Sequence, residues 1–340
     1  MPAHSSARRA AEPEPEGQLP PWLSVVCDHP GLARFVERYL RYLAPGLAHL
    51  GPEVLRLELH VVAPGVIPAV PRGATPIGRR DRYALARRGP DLIYHLEGEA
   101  CVRVDAEQGH AWLWTARAAD EPDAVPGLVS IAILEIAARR GFFGLHAGAV
   151  AGEGTSYLLP GASGSGKTSL CLTMVRAGFR YLTDDFVLLT TGEGAPRCVP
   201  FFRTFNLDVA WAERFPELSL IGDLRPLPHG KRMIDPERFY PGSHAESARP
   251  GVLLFPSIAA ALDSAMRPLP KRETFCRLLP QSRLSADPGV AQAHLRVLEQ
   301  LVHAAPAFEL SHGRDFLRAP EATLRRLLER LERPAEAGLR

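Results

Sequence analysis

The run Gly161-Ala162-Ser163-Gly164-Ser165-Gly166-Lys167-Thr168 constrains this 340-residue chain more than any other stretch. It has the spacing G-x-x-x-x-G-K-[ST], with an apolar stretch at 155–159 before it and a helical pattern over 168–177 after it. Glycines at these positions let successive backbone amides turn inward as a nest. The following helix brings the positive end of its dipole to the same point, so the unit binds polyphosphate. Lysine then supplies a compact mobile cation to the terminal phosphates, and the threonine hydroxyl is a ligand for Mg²⁺. The candidate nucleotide-binding residues are therefore Gly161, Ala162, Ser163, Gly164, Ser165, Gly166, Lys167, Thr168 and Ser169. A strand–loop–helix of this kind belongs to an α/β architecture.

The flanking sequence extends the site. Strands are predicted over 145–151 and 155–159, joined by Gly152-Glu153-Gly154, and the helix after the loop stops at Gly178. A further strand over 179–182 leads to Asp184-Asp185, the first of them 17 positions after Lys167, followed by an apolar run over 186–189. One helix, one turn and one strand bring the chain back beside the loop. A strand-end carboxylate there can hold Mg²⁺, and its neighbour can accept a proton from an attacking hydroxyl. Adjacent aspartates are more commonly solvated turn residues, and the loop is what tips the reading towards function. His146, on the strand leading to the loop, is by itself more often a core histidine than a catalyst. Its position beside the loop makes it a candidate.

Residues 1–20 are rich in Pro, Glu, Ala and Ser without periodicity and are read as a disordered tail. Residues 21–122 read as a smaller α+β N-terminal domain. It has a strand at 23–26, a helix after Pro30, an alternating strand at 55–61 and further strands at 92–96, 101–105 and 111–115. Asp120-Glu121-Pro122-Asp123 marks the boundary, and 123–340 forms the second domain. That domain opens with an apolar helix over 125–140. Beyond a Pro/Gly-rich region at 222–250 it carries a buried strand at 252–255, a helix starting at Asp287-Pro288 and a last amphipathic helix from about 320.

Composition excludes several classes. A net charge of +2 on 40 basic and 38 acidic residues argues against nucleic acid as a partner. No apolar run reaches the roughly 18–20 residues that a membrane span requires. No secretory h-region is seen, and five scattered cysteines without a C-x-x-C pair suit a reducing compartment, so the expected location is cytoplasmic. Only Lys167, Lys231 and Lys271 are lysines in a chain that otherwise uses arginine, so each deserves scrutiny as a point charge. Lys231 and Arg232, in Gly230-Lys231-Arg232-Met233-Ile234-Asp235, are candidates for phosphate or acceptor contact, with a surface turn as the plain alternative. Arg203, after Phe201-Phe202, is a further candidate; the aromatic pair suits either an acceptor groove or the core. Lys271 reads as solvated surface.

Residues 144–190 resemble the catalytic core of the HPr kinase/phosphorylase family, itself similar to phosphoenolpyruvate carboxykinases. The resemblance rests on His146, Gly152-Glu153-Gly154, the loop through Thr168, and Gly178 followed by Thr183-Asp184-Asp185-Phe186-Val187. It implies a P-loop kinase core that uses ATP and Mg²⁺ to phosphorylate a hydroxyl. Lys167 and Thr168 would bind ATP·Mg²⁺, Asp184 by preference would be the base, Asp185 would position the metal, and His146 would sit near the transferred phosphate. An oligomer is implied by the same analogy. Ala147 stands where the family has glycine after its histidine, and no counterpart of the family's C-terminal Gly/Arg segment is found. The resemblance therefore points to divergent relatives that phosphorylate other acceptors, with a serine or threonine of a peptide or protein favoured. A small-molecule hydroxyl kinase and a non-catalytic nucleotide-binding regulator remain open; a narrow apolar acceptor pocket would favour the former.

Overall fold

Alternation of apolar and polar residues builds the first sheet of the computed structural model. The structure describes residues 19–44, 47, 55–63, 65–80, 82–116, 124–191, 196–212, 215–223 and 231–332. Most of the expected tail, the boundary at 120–123 and Gly230 lie outside these residues. β1 (Leu23–Cys27) leads into α1 (Pro30–Leu40), whose N-terminus is capped by the His29 ring accepting from the Leu32 amide. β2 (Leu55–Val61) buries Leu55, Leu57 and Leu59 and turns the intervening residues outward. β3 (Thr75–Arg80), β4 (Tyr83–Arg88), β5 (Asp91–Leu96), β6 (Ala100–Asp105) and β7 (His110–Thr115) complete seven strands in the order β1-β2-β7-β6-β5-β4-β3. β1, β2 and β7 are parallel and the remainder antiparallel. β3 and β4 were not legible in the sequence, because Pro76, Gly78 and a string of arginines break the alternation. Such residues are characteristic of a sheet edge, and β3 is one.

α2 (Ala124–Arg139) is apolar on every side and buried on every side, from Val125 and Leu128 through Ile133 and Ile136. A helix of that kind needs cover all round. It packs on β6 and β7 of the first sheet and on the start of the second, so it is a wall common to both.

The second sheet carries the loop. Its strands are β8 (Phe142–Gly152), β9 (Thr155–Pro160), then after α3 (Lys167–Arg176), β10 (Arg180–Thr183), β11 (Phe186–Thr191) and β12 (Pro196–Pro200). A separate hairpin, β13 (Phe205–Leu207) with β14 (Arg232–Ile234), flanks α4 (Val209–Ala212) in sequence. The sheet resumes with β15 (Arg249–Ile258), β16 (Ala265–Pro268) and β17 (Ala307–His312); its order is β12-β11-β8-β9-β15-β17-β16, with β10 also on β8. The remaining helices are α5 (Lys271–Leu278), α6 (Pro288–Ala304), α7 (Arg314–Arg318) and α8 (Pro320–Glu332). Asp287 caps α6 as its sequence suggests, accepting from the amides of Gly289 and Val290.

Two features of this sheet position the site. β9, β15 and β17 are parallel, so their carboxyl ends at Pro160, Ile258 and His312 come out on one side. Ligands of α/β sheets bind beyond such ends. The second feature is that β10 and β11 lie along the same edge of β8, one pairing with 149–151 and the other with 142–146. Asp184 and Asp185 occupy the break between them, where the Ala147 amide donates to the Asp185 carbonyl at 2.9 Å. The pair is thus an interruption in a nearly continuous strand, a device that re-aims side chains.

α3 packs against β8 at Gly148, where an added Cβ would come within 2.7 Å of Cys171 Sγ. Gly148→Ala is therefore expected to destabilise the protein by about 1–3 kcal/mol through overpacking. Adding Cys171→Ala should restore most of the loss in a thermal-unfolding double-mutant cycle. Additive losses would show that the clash is not the cause.

Candidate active site

The loop runs from the end of β9 into the first turn of α3. Gly164 and Gly166 have φ of +81° and +98°, values that side chains rarely adopt. Ala162, Ser163 and Gly164 are exposed, so their backbone is open to a ligand, while Ser169 lies in the first turn of α3. Lys167 is buried, and its ammonium donates to the carbonyls of Gly161 at 2.6 Å and Ala162 at 2.9 Å. Burial lowers its pKa, against the pull of Asp185 and Asp184.

Asp184 is buried at 3% exposure, and each of its contacts is a hydrogen bond received. Thr168 Oγ1 donates to its Oδ2 at 2.9 Å, as does the Asn206 amide at 2.9 Å, and Asn206 Nδ2 lies 3.4 Å from Oδ1. Burial nevertheless pushes its pKa up to about 6. The neighbouring Asp185 adds to that rise, while the Asn206 and Thr168 bonds and the charge of Lys231 oppose it. Asp185 faces the other way and is half exposed; His146 Nε2 lies 3.3 Å from its Oδ1. The His146 ring stacks on Phe186, its direct partner across β8 and β11.

The structure thus brings Lys167, Thr168, Asp184, Asp185 and His146 to the carboxyl end of β9. Lys231 stands near enough for its charge to act on both Asp184 and Lys167. Arg232 follows on β14, opposite Leu207. The charges that act on Arg203 are those of Glu246, Asp235, Glu237 and Arg180, none of them in the loop. Lys271 opens α5 and lies 3.0 Å from His303 Nδ1. It borders a cavity of about 530 Å³ between α5 and α6 that contains none of the candidate residues.

Two residues of the site escaped the sequence reading. Asn206 sits on a three-residue strand with no pattern to mark it. His312, at the end of β17, packs against the loop: a Cβ on Gly166 would meet its ring at 3.4 Å. It is 5% exposed, both ring nitrogens lack a hydrogen-bond partner, and burial pushes its pKa down to about 4, against the opposing charge of Asp315. A loop residue and a strand-end residue 146 positions later meet only through the parallel order of β9, β15 and β17.

The residues suit Mg²⁺ in a particular way. Among the described residues no group of three or more His, Cys, Asp or Glu side chains forms a metal cage. Mg²⁺ bound with a nucleotide requires only one or two carboxylates and a hydroxyl, with phosphates and water completing its shell. Thr168 and Asp184 form such a partial set. No helix among the described residues is long and apolar enough to cross a membrane.

No protein-family model matches the chain, and no curated protein matches it. Among solved structures, the Hpr(Ser) kinase/phosphatase from Coxiella burnetii is similar at a TM-score of 0.32 and 11% identity, over 56% of this chain and 99% of that one. The likeness is a distant one of fold.

The raised pKa of Asp184 has a consequence for stability. The native state holds its proton more tightly than the unfolded chain, whose ordinary value is 3.8. The stabilisation is complete below about pH 4 and is lost as pH rises through 6. Ionised Asp184 therefore costs on the order of 3 kcal/mol at pH 8. Asp184→Asn keeps an oxygen to accept from Thr168 and Asn206. It should raise the thermal midpoint at pH 8 and change it little at pH 4.5; a fall at both pH values would contradict this.

Proposed function

We propose that this protein is a phosphotransferase that uses ATP and Mg²⁺ to phosphorylate a hydroxyl. The observation that carries the reading is the Thr168–Asp184 hydrogen bond beside Lys167, with the next residue, Asp185, turned away from it and 3.3 Å from His146. In P-loop NTPases the loop hydroxyl and a strand-end aspartate together hold the metal. We therefore assign the metal to Thr168 and Asp184, and the base to Asp185, the reverse of the preference drawn from sequence. Mg²⁺, when bound with the nucleotide, neutralises phosphate charge.

The chain's own groups supply the rest. Loop amides and Lys167 hold the phosphates, so Lys167 must leave the carbonyls of Gly161 and Ala162 as phosphate oxygens take their place. Asp185 takes the acceptor's proton, and His146 holds that carboxylate in one orientation while remaining near the incoming phosphoryl oxygens. Catalysis on this plan is mostly positioning and electrostatics. A regulator that only binds nucleotide has no use for a second, half-exposed carboxylate held by a histidine, and this favours an enzyme.

The test is a separation of effects in the full-length protein, using fluorescent mant-ATP for binding and ADP formation for turnover. Lys167→Ala should abolish mant-ATP binding. Asp185→Asn should leave binding within about twofold while lowering turnover by a hundredfold or more, the usual contribution of a general base. Asp184→Asn should remove the Mg²⁺ dependence of binding. In wild type that dependence should strengthen as pH rises through 6, where Asp184 ionises. Binding without any turnover in wild type would refute the enzyme reading.

A further inference from the structure

A cavity of about 180 Å³ opens beside Asp185, walled by Tyr39 of α1, Tyr83 of β4, Ser130 of α2, Phe186 and Phe202, and no residue of the loop lines it. The other flank of the loop belongs to β15 and β17. Leu254 of β15 and Leu310 of β17 are buried in one cluster with α3. Pro256, Ile258 and His312 follow them at two-residue steps and therefore share that face of the sheet. Both strands touch the loop there. A Cβ on Gly161 would lie 3.7 Å from Pro256 Cδ, and one on Gly166 would lie 3.4 Å from the His312 ring. Ile258 is the direct partner of His312 across the two strands, so it stands at the loop's edge.

Ile258 is 71% exposed. Leu262 at 64% and Leu317 of α7 at 49% accompany it, and among the described residues from α2 onward no other large apolar side chain is exposed. The connection that carries Leu262 is tied to the end of β17. The Ala259 amide donates to the His312 carbonyl at 2.9 Å, and the Arg314 and Asp315 amides donate to Ala261 and Leu262 at 3.0 Å. Ser264 donates to Asp315 Oδ1 through its amide at 2.8 Å and its hydroxyl at 2.7 Å. At Gly313 an added Cβ would fall 2.5 Å from the Asp263 carbonyl carbon, so the two segments are in backbone contact. These polar groups satisfy one another. Asp263 and Arg314 are exposed charges of the block, and Ile258 and Leu262 give it an exposed apolar surface.

We infer that the ends of β15 and β17 hold the nucleoside half of the nucleotide, with Ile258 as the floor beneath the base. The inference rests on the phosphotransferase reading and deepens it. Direction is the first argument. Asp184, Asp185 and His146 lie along β8, and β8 and β15 flank β9 on opposite sides. On the phosphotransferase reading the γ-phosphoryl group faces Asp185, so the nucleoside leaves the loop towards β15. Reach is the second argument. Neighbouring strands lie about 4.8 Å apart, so the end of β15 is the first surface that a nucleoside meets on that side. Chemistry is the third. A base has two flat apolar faces, and laying one on a branched aliphatic side chain removes both surfaces from water. Single exposed apolar side chains need no explanation, but three gathered at the carboxyl end of parallel strands mark a contact surface.

The test is isothermal titration of the full-length protein with MgATP and with magnesium tripolyphosphate, which has the phosphates without the nucleoside. Wild type should bind MgATP at least tenfold more tightly than tripolyphosphate. Ile258→Ser should weaken MgATP binding at least fivefold and leave tripolyphosphate within twofold. Ile258→Phe restores an apolar surface and should return MgATP affinity to within twofold of wild type. Tripolyphosphate bound by wild type as tightly as MgATP, or more so, would overturn the inference. So would Ile258→Ser that leaves MgATP unaltered or weakens both ligands alike, and so would Ile258→Phe that binds MgATP as weakly as Ile258→Ser. Each of those results leaves the kinase reading standing. Wild-type protein that binds neither ligand would instead remove the phosphotransferase reading, and the nucleoside site with it.

Discussion

The hydrogen bonds to the buried Asp184 carboxylate join three otherwise separate parts of the molecule. Thr168 belongs to the first turn after the loop, Asp184 to the break between β10 and β11, and Asn206 to the β13–β14 hairpin. Removing a carboxylate from water is expensive, and the upward shift of its pKa to about 6 shows that three donors do not fully compensate. Proteins keep such groups where chemistry needs them, at some loss of stability. The remaining charge demand is of the kind that a divalent cation satisfies, and the nearby Lys167 and Lys231 serve it only in part.

The strand break gives the two neighbouring aspartates opposite environments. Along a regular strand successive side chains face opposite sides of the sheet, and the interruption opposite Ala147 preserves that alternation while lifting the pair out of the ladder. Asp184 therefore points to the loop and is buried, and Asp185 points to His146 and the cavity. Two titratable groups pushed into different surroundings is the usual arrangement by which one site separates acid–base work from metal binding.

What the sequence revealed follows the reach of each signal. The loop, the strand before it, α3 and the aspartate pair lie within about thirty residues and carry local patterns, so Gly161 to Thr168, Asp184 and Asp185 were legible. His146 was legible as a neighbour but not as the partner of Asp185, because that contact depends on the register of β8 against β11. Asn206, His312 and the cavity wall were not: His312 meets the loop through strand order, Asn206 through the docking of a separate two-stranded pair, and the wall through the packing of α1 and α2. The arginine-rich β3 and β4 were hidden for another reason: β3 is an edge strand, and the arginines that it and its neighbour β4 carry erase the alternation. The division of labour between the aspartates was beyond sequence too, because adjacent identical residues differ only in which way the backbone turns them.

The first sheet and its helices wall the space beside Asp185. α2 is apolar all round because it fills the space between two sheets, and this fixes Ser130 and Gly127 against Tyr39 and Tyr83 on one side and Phe186 on the other. The glycine-rich loop needs only β9, α3 and the strand ends around them. The space in front of Asp185 needs α1, β4 and α2 as well. The loop is thus set within the second sheet, and the space beside Asp185 is set by how the first sheet is seated on it.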